Sequence, residues 1–123
     1  MANMLTPEEV AKLAVQALDS KRGEKIALLK VRDLTILADY FLICTGTSNT
    51  HIRTLCDEVE KVLDEHGEPA LRREGQRGGT WVLLDFGCLV VHVFTDETRK
   101  FYDLERLWSD AQPIEISNLL IEE

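Results

Sequence analysis

The stretch Tyr40-Phe41-Leu42-Ile43-Cys44-Thr45-Gly46-Thr47-Ser48-Asn49-Thr50-His51-Ile52 passes from an unbroken apolar run, through a glycine, into a helical pattern. A run without polar alternation reads as a strand buried on both faces. Gly46 stops it, and Thr47, Ser48 or Asn49 can cap the first free amides of a helix. Ile52, Leu55, Cys56, Val59, Val62 and Leu63 then recur at three- and four-residue steps until Gly67 and Pro69. That spacing gives a helix with one apolar stripe, so this unit predicts a sheet with a helix laid across it.

The same logic extends outward. Upstream, Thr6-Pro7-Glu8-Glu9 predicts a helix start, with Thr6 and Glu9 as a capping box and proline in the first turn. Val10, Leu13, Ala14, Ala17 and Leu18 form its stripe, Gly23 stops it, and Lys25 to Val31 reads as a strand. Asp33 to Ala38 is a short connection. Downstream, Ala70 to Glu74 reads as a short strand and Gly75-Gln76-Arg77-Gly78-Gly79 as a turn. Trp81 to Leu84 and Leu89 to Phe94 are strands joined through Asp85-Phe86-Gly87. Thr95 or Asp96 caps a final helical region in which Phe101, Leu104, Leu107 and Trp108 fit one face, as core residues would. Pro113 ends it. The order α-β-β-α-β-β-β-α predicts an α/β (α+β) fold, a mixed sheet flanked by helices. Residues 1–111 form the expected domain and 112–123 a C-terminal tail.

The 123 residues suit one domain, and 45% hydrophobic with 29% charged residues is ordinary globular composition. No apolar run approaches the ~18 residues of a membrane span, and the N-terminus shows no signal-peptide pattern. A cytoplasmic location is expected. The net charge of −8 disfavours a general nucleic-acid binder, which needs clustered Lys and Arg, and suits a basic protein partner. Residues 96–123 carry −5 of that charge. Cys44, Cys56 and Cys88 are odd in number and set in apolar contexts, which fits a reducing compartment better than a disulfide framework.

Candidate chemistry is thin. Thr45-Gly46-Thr47-Ser48-Asn49 sits where a helix N-terminus can hold phosphate, but it lacks the P-loop ending and the dinucleotide glycines. Cys88 and His92 lie about 13 Å apart on one strand, and Cys56 and His66 about 15 Å apart along one helix. Neither pair can share an ion, so no metal site is expected. Cys44 precedes a helix N-terminus and His51 follows it, a weak nucleophile pairing better read as a buried small hydrophobe. The segment Phe101-Tyr102-Asp103-Leu104-Glu105-Arg106-Leu107-Trp108 is more informative, because aromatics beside unneutralised acids make a rim for a basic partner.

Several motifs, in order, resemble one family. Asp39-Tyr40-Phe41-Leu42-Ile43-Cys44-Thr45-Gly46-Thr47-Ser48, Glu74-Gly75, Trp81-Val82-Leu83-Leu84-Asp85-Phe86-Gly87, Val90-Val91-His92-Val93-Phe94 and Arg99-Lys100-Phe101-Tyr102-Asp103-Leu104-Glu105-Arg106-Leu107-Trp108 are similar to the Iojap family. Its bacterial members are the ribosomal silencing factors, RsfS. The resemblance runs from about Thr6 to Ala111. It implies a nucleotidyltransferase-like fold and a non-enzymatic regulator, often homodimeric when free. It further implies binding to the large ribosomal subunit through ribosomal protein L-fourteen, blocked subunit joining, repressed translation and a role in late subunit maturation. No cofactor is implied. Where many relatives carry an acid after Asp-aromatic-Gly, this chain has Cys88, which is therefore not nominated.

Trp81, Asp85, Tyr102, Glu105 and Trp108 are the expected partner-binding residues. Aromatics supply desolvated contact area, and acids match a basic ribosomal protein. Two other readings compete. An active nucleotidyltransferase would need two carboxylates two residues apart on a strand after its Gly-Ser turn. Gly46-Thr47-Ser48 offers the turn, but Asp85 stands alone and His92 lies where another carboxylate is wanted. The other is a dimeric adaptor unconnected with ribosomes.

Overall fold

The computed structural model describes residues 5–75 and 79–119. The central part of the expected turn at Gln76-Arg77-Gly78 and the last four residues of the expected tail lie outside the described residues. The chain forms α1 (Pro7–Ser20), β1 (Glu24–Lys30), β2 (Tyr40–Gly46), α2 (Asn49–Glu65) and β3 (Arg72–Gly75). It continues through β4 (Trp81–Asp85), β5 (Leu89–Thr95), α3 (Asp96–Tyr102), α4 (Leu104–Leu107) and β6 (Gln112–Ile114) to a 3-10 turn at Ser117–Leu119. At the start of α1 the Thr6 hydroxyl accepts from the Glu9 amide at 3.1 Å and the Glu9 carboxylate accepts from the Thr6 amide at 2.9 Å. Ser48, of the three candidates, caps α2 by accepting from the His51 amide at 3.0 Å.

The six strands form one mixed sheet in the order β3-β4-β5-β2-β1-β6. Only β2 and β5 are parallel, and every other neighbouring pair is antiparallel. All seven residues of β2 are buried, which explains its continuous apolar sequence. Alternation then sorts side chains to two faces. Tyr40, Leu42, Cys44, Val82, Leu84, Leu89, Val91 and Val93 pack in one cluster with Val10, Ala14, Leu18, Ile52, Leu55, Val59 and Leu63 of α1 and α2. Leu29, Phe41, Ile43 and Phe94 face the other way, against Leu104, Trp108 and Ala111. Arg73 fastens the edge strand β3 to α2 through Asp57 at 2.8 Å and Glu60 at 2.7 Å.

The second face is covered only in part, because the C-terminal helical region is not one helix. Asp103 adopts a left-handed conformation, φ 48 and ψ 52, that ends α3 and starts α4 in a new direction. The single buried face expected for Phe101, Leu104, Leu107 and Trp108 is thereby broken. Leu104 and Trp108 pack toward the sheet, while Phe101 is 80% and Leu107 73% exposed. Of the expected tail, residues 112–119 pack back on the domain: β6 hydrogen-bonds to β1 and Ile116 is buried in the first cluster. Pro113 sits within this outer strand, where a missing amide hydrogen is tolerated.

Asp103 makes no capping bond with its side chain, so its tolerance of the left-handed region is what the break requires. Asp103→Gly is expected to keep or raise the urea midpoint, whereas Asp103→Ala should lower stability by about 1 kcal/mol. Equal effects from both variants would show that the backbone conformation is not the constraint.

Candidate partner-binding surface

Trp81, Leu83 and Asp85 project from β4 on the face that α1 and α2 do not cover, and all three are half-buried. The Trp81 indole Nε1–H donates to His92 Nδ1 at 3.2 Å. His92 is itself buried between strands, with the Phe41 ring edge-on at 5.6 Å. Its desolvation lowers its pKa from the ordinary 6.5 to about 4, so it stays neutral and keeps Nδ1 free to accept. Trp81 meets the Tyr102 ring at 4.5 Å, and Tyr102 meets Phe101 edge-on at 5.1 Å. The result is a strip of three aromatic rings running from the half-buried sheet face out to solvent.

A wide hollow of about 640 Å³, lined by Lys100, Phe101, Tyr102, Asp103, Arg106 and Leu107, and two smaller ones flank this strip. One of the smaller, about 260 Å³, is lined by Glu74, Gly75, Trp81 and Leu83. The other, about 250 Å³, is lined by Thr80, Glu97, Thr98, Phe101 and Tyr102. The two smaller hollows each pair aromatic walls with one acid, of which Glu74 is held by Arg72 at 2.7 Å. An aromatic strip with such hollows suits a protein surface.

What holds α3 in place is Arg99, only 8% exposed. Its guanidinium donates to the Lys25 carbonyl at 2.6 Å, the Thr45 hydroxyl at 2.9 Å and the Glu105 carboxylate at 2.9 Å. The Lys25 ammonium reaches Asp96 in the first turn of α3 at 2.8 Å. A register irregularity in β1 between Glu24 and Ala27, with Lys25 at φ 49, accompanies this contact, as bulges that re-aim backbone groups often do.

The structure brings Trp81 and Tyr102 together, as two of the five expected residues. It does not place Asp85 beside them, since Asp85 lies four residues along β4, about 13 Å away. There Asp85 accepts from the Gly87 amide at 2.8 Å and from Arg72 at 3.2 Å, ordering the β4–β5 turn. Glu105 is exposed but engaged by Arg99, and the ring contact of Trp108 is with Phe41 at 5.0 Å. Phe101 and Leu83 join the surface without having been anticipated. The signal for Phe101 was Asp103, a residue type that visits the left-handed region and can break a helix. Leu34, Ile36 and Leu37, in the β1–β2 connection, form a second exposed apolar group.

The turn after β2 is a packing joint. A Cβ on Gly46 would lie 2.7 Å from Ile52 Cγ1, so glycine lets α2 close onto the strand. Burial drives the Cys44 and Cys56 thiols up to about 12, which removes the thiolate a nucleophile needs. Among the described residues no three His, Cys, Asp or Glu side chains gather as a metal-binding group, and no helix is long and apolar enough to cross a membrane.

Residues 4–123 match the model of a family described as "Ribosomal silencing factor during starvation", RsfS. The chain belongs to this family. The ribosomal silencing factor RsfS of Halalkalibacterium halodurans is 38% identical over 116 residues, covering 94% of this chain and 99% of that protein. A crystal structure of a Chromobacterium violaceum protein superposes with a TM-score of 0.83 at 37% identity, covering 85% of this chain and 88% of that one. The mouse protein named "Mitochondrial assembly of ribosomal large subunit protein 1" is 31% identical over 100 residues, 79% of this chain and 44% of that protein.

His92 gives this RsfS-family chain a defined acid sensitivity. The unfolded chain takes up a proton near the ordinary value of 6.5 and the native state only near 4. The stabilisation is therefore complete above pH 6.5 and is lost as pH falls toward 4, on the order of 3 kcal/mol in all. Urea unfolding should show this decline in the parent, and a much smaller one in His92→Phe over the same interval. Parallel declines would assign the acid sensitivity to other groups.

Proposed function

We propose that the protein binds the large ribosomal subunit through ribosomal protein L-fourteen on the intersubunit face and sterically blocks joining of the small subunit. Translation is thereby repressed, and the same contact serves late maturation of the subunit. The single observation that carries this reading is the strip Trp81–Tyr102–Phe101, its rings in contact and reaching solvent at Phe101, in a chain of the ribosomal silencing family. The net charge of −8 favours a basic protein over ribosomal RNA. The printed name of the mouse relative, which concerns assembly of the ribosomal large subunit, supports the same partner. A steric block asks only for a rigid domain and one specific surface, with no cofactor and no turnover. In this reading the protein acts in the cytoplasm, is a homodimer when free, and recognises no nucleic-acid sequence.

Asp85 and Trp108 form the margin of the proposed contact, and Glu105 contributes charge at its edge while holding Arg99. Charge reversal at Glu105 would place an ammonium beside a buried guanidinium, so Glu105→Gln is the cleaner probe. In co-sedimentation with purified large subunits, Tyr102→Ala and Phe101→Ala should each weaken binding tenfold or more, about 1.4 kcal/mol. Ile36→Ser, on the other exposed apolar group, should bind as the parent does. The parent should also lower the fraction of joined subunits saturably and without nucleotide. Normal binding by the Tyr102 and Phe101 variants, or subunit joining unaffected by saturating protein, would contradict the proposal.

A further inference from the structure

Among the described residues, the large apolar side chains left exposed sort to two ends of the sheet. Phe101, Tyr102 and Leu107 follow β5 at its Thr95 end and line the wide hollow beside the aromatic strip. Leu34, Ile36 and Leu37 lie in the connection that enters β2 at Tyr40, and Tyr40 pairs with Leu89 at the opposite end of β5. Leu71 belongs to that end too: a Cβ on Gly87, in the β4–β5 turn, would lie 3.4 Å from Leu71 Cδ1. The Cys88 carbonyl of the same turn accepts from the Asp39 and Tyr40 amides at 2.9 and 3.0 Å. The seven residues of β5, about 20 Å of strand, separate the two groups.

The aliphatic group is held in a closed turn. The Val31 carbonyl accepts from the Leu34 and Thr35 amides at 2.9 and 3.1 Å, and the Val31 amide donates to the Asp39 carbonyl at 2.8 Å. The Leu37 amide donates to the Thr35 hydroxyl at 3.1 Å. With these polar groups satisfied internally, the turn presents Ile36 fully, and Leu37 at 73% exposure, to solvent. A single exposed leucine is ordinary, but three large aliphatics so close in sequence mark a contact.

The charges beside this group differ from those of the chain as a whole. Although the net charge is −8, Arg32 and Asp33 stand together at its edge. Arg32 reaches Asp39 at 3.6 Å and lies over the Tyr40 ring, 5.9 Å from the centroid. Asp33 has no ion pair among the described residues. A surface of mixed sign around an aliphatic centre offers no field to a basic protein or to phosphate. It does suit a copy of itself. About a two-fold axis the aliphatic groups meet, and Asp33 of each copy faces Arg32 of the other.

We propose that the free protein pairs with a second copy through the β1–β2 connection, with Ile36 and Leu37 at the centre and Arg32 and Asp33 at the margin. The pairing rests on the reading of the free protein as a homodimer and gives that dimer its surface. So small a patch falls well short of the roughly twenty to thirty residues a side of a standard interface, so the pair is weak and forms as concentration rises. The aromatic strips lie at the far ends of the two sheets, and pairing therefore does not compete with subunit binding.

Sedimentation equilibrium of the full chain across a wide concentration range tests this. The mass of the parent should rise from 14.0 kDa toward twice that value. Ile36→Ser and Leu37→Ser should each raise the dissociation constant tenfold or more, while Phe101→Ala leaves it unchanged. In dilute solution Ile36→Ser should keep the urea midpoint of the parent, since the side chain it replaces touches solvent. Arg32→Asp and Asp33→Arg should each pair poorly with themselves, and their mixture better than either alone. A parent that stays monomeric would overturn this surface and the homodimer reading together. A parent dimer undiminished in both serine variants, or a charge-swapped mixture no better than its components, would overturn the surface and leave the homodimer reading standing.

Discussion

The buried guanidinium of Arg99 is the constraint on which the exposed face of this protein depends. Seven and four residues long, α3 and α4 are too short to hold a conformation alone. They are fixed because Arg99 meets acceptors from β1, β2 and α4 at once. A charge so nearly buried is tolerated only when fully hydrogen-bonded, and removal of any acceptor would leave it costly. The irregularity in β1 and the Lys25–Asp96 pair serve the same junction from the other side. Tyr102 and Phe101 owe their place beside Trp81 to this joint.

The two faces of the sheet have different completeness, and that difference separates scaffold from surface. One face is closed by α1 and α2 with apolar side chains throughout. The other is closed over β1 and β2 by Leu104, Trp108 and Ala111, while β4 keeps half-exposed Trp81 and Leu83. His92 stiffens this open part from below, since its neutral ring fixes the indole that Tyr102 leans on. Large rings held rigidly give contact area at little entropic cost.

The sequence was most legible where local and tertiary forces agree. The capping box of Thr6 and Glu9, the wholly buried run of β2 and the stripe of α2 appear as written. It was least legible after Thr95, where the three- and four-residue steps assumed an unbroken helix. Asp103 in a left-handed conformation reverses the burial of Phe101, and no periodicity encodes that. Pro113 suggests an ending, yet it lies in an edge strand whose partner, β1, is about eighty residues away in sequence. Trp81 and Tyr102 were singled out because their residue types are those of contact surfaces, and the fold sets their rings 4.5 Å apart. Glu105 drew notice for its charge, but charge alone does not reveal that a buried arginine already holds it. Phe101 was missed because apolar spacing alone cannot say which face a broken helix turns to solvent.

Hydroxyl-radical footprinting of the protein bound to large ribosomal subunits tests the central claim most directly, because exposed aromatic and aliphatic side chains report their own burial. Oxidation of Phe101 and Tyr102 should fall sharply on binding, while Leu34, Ile36 and Leu37 label as they do in the free protein. Unchanged oxidation of Phe101 and Tyr102, with protection at Leu34, Ile36 and Leu37 instead, would contradict the account.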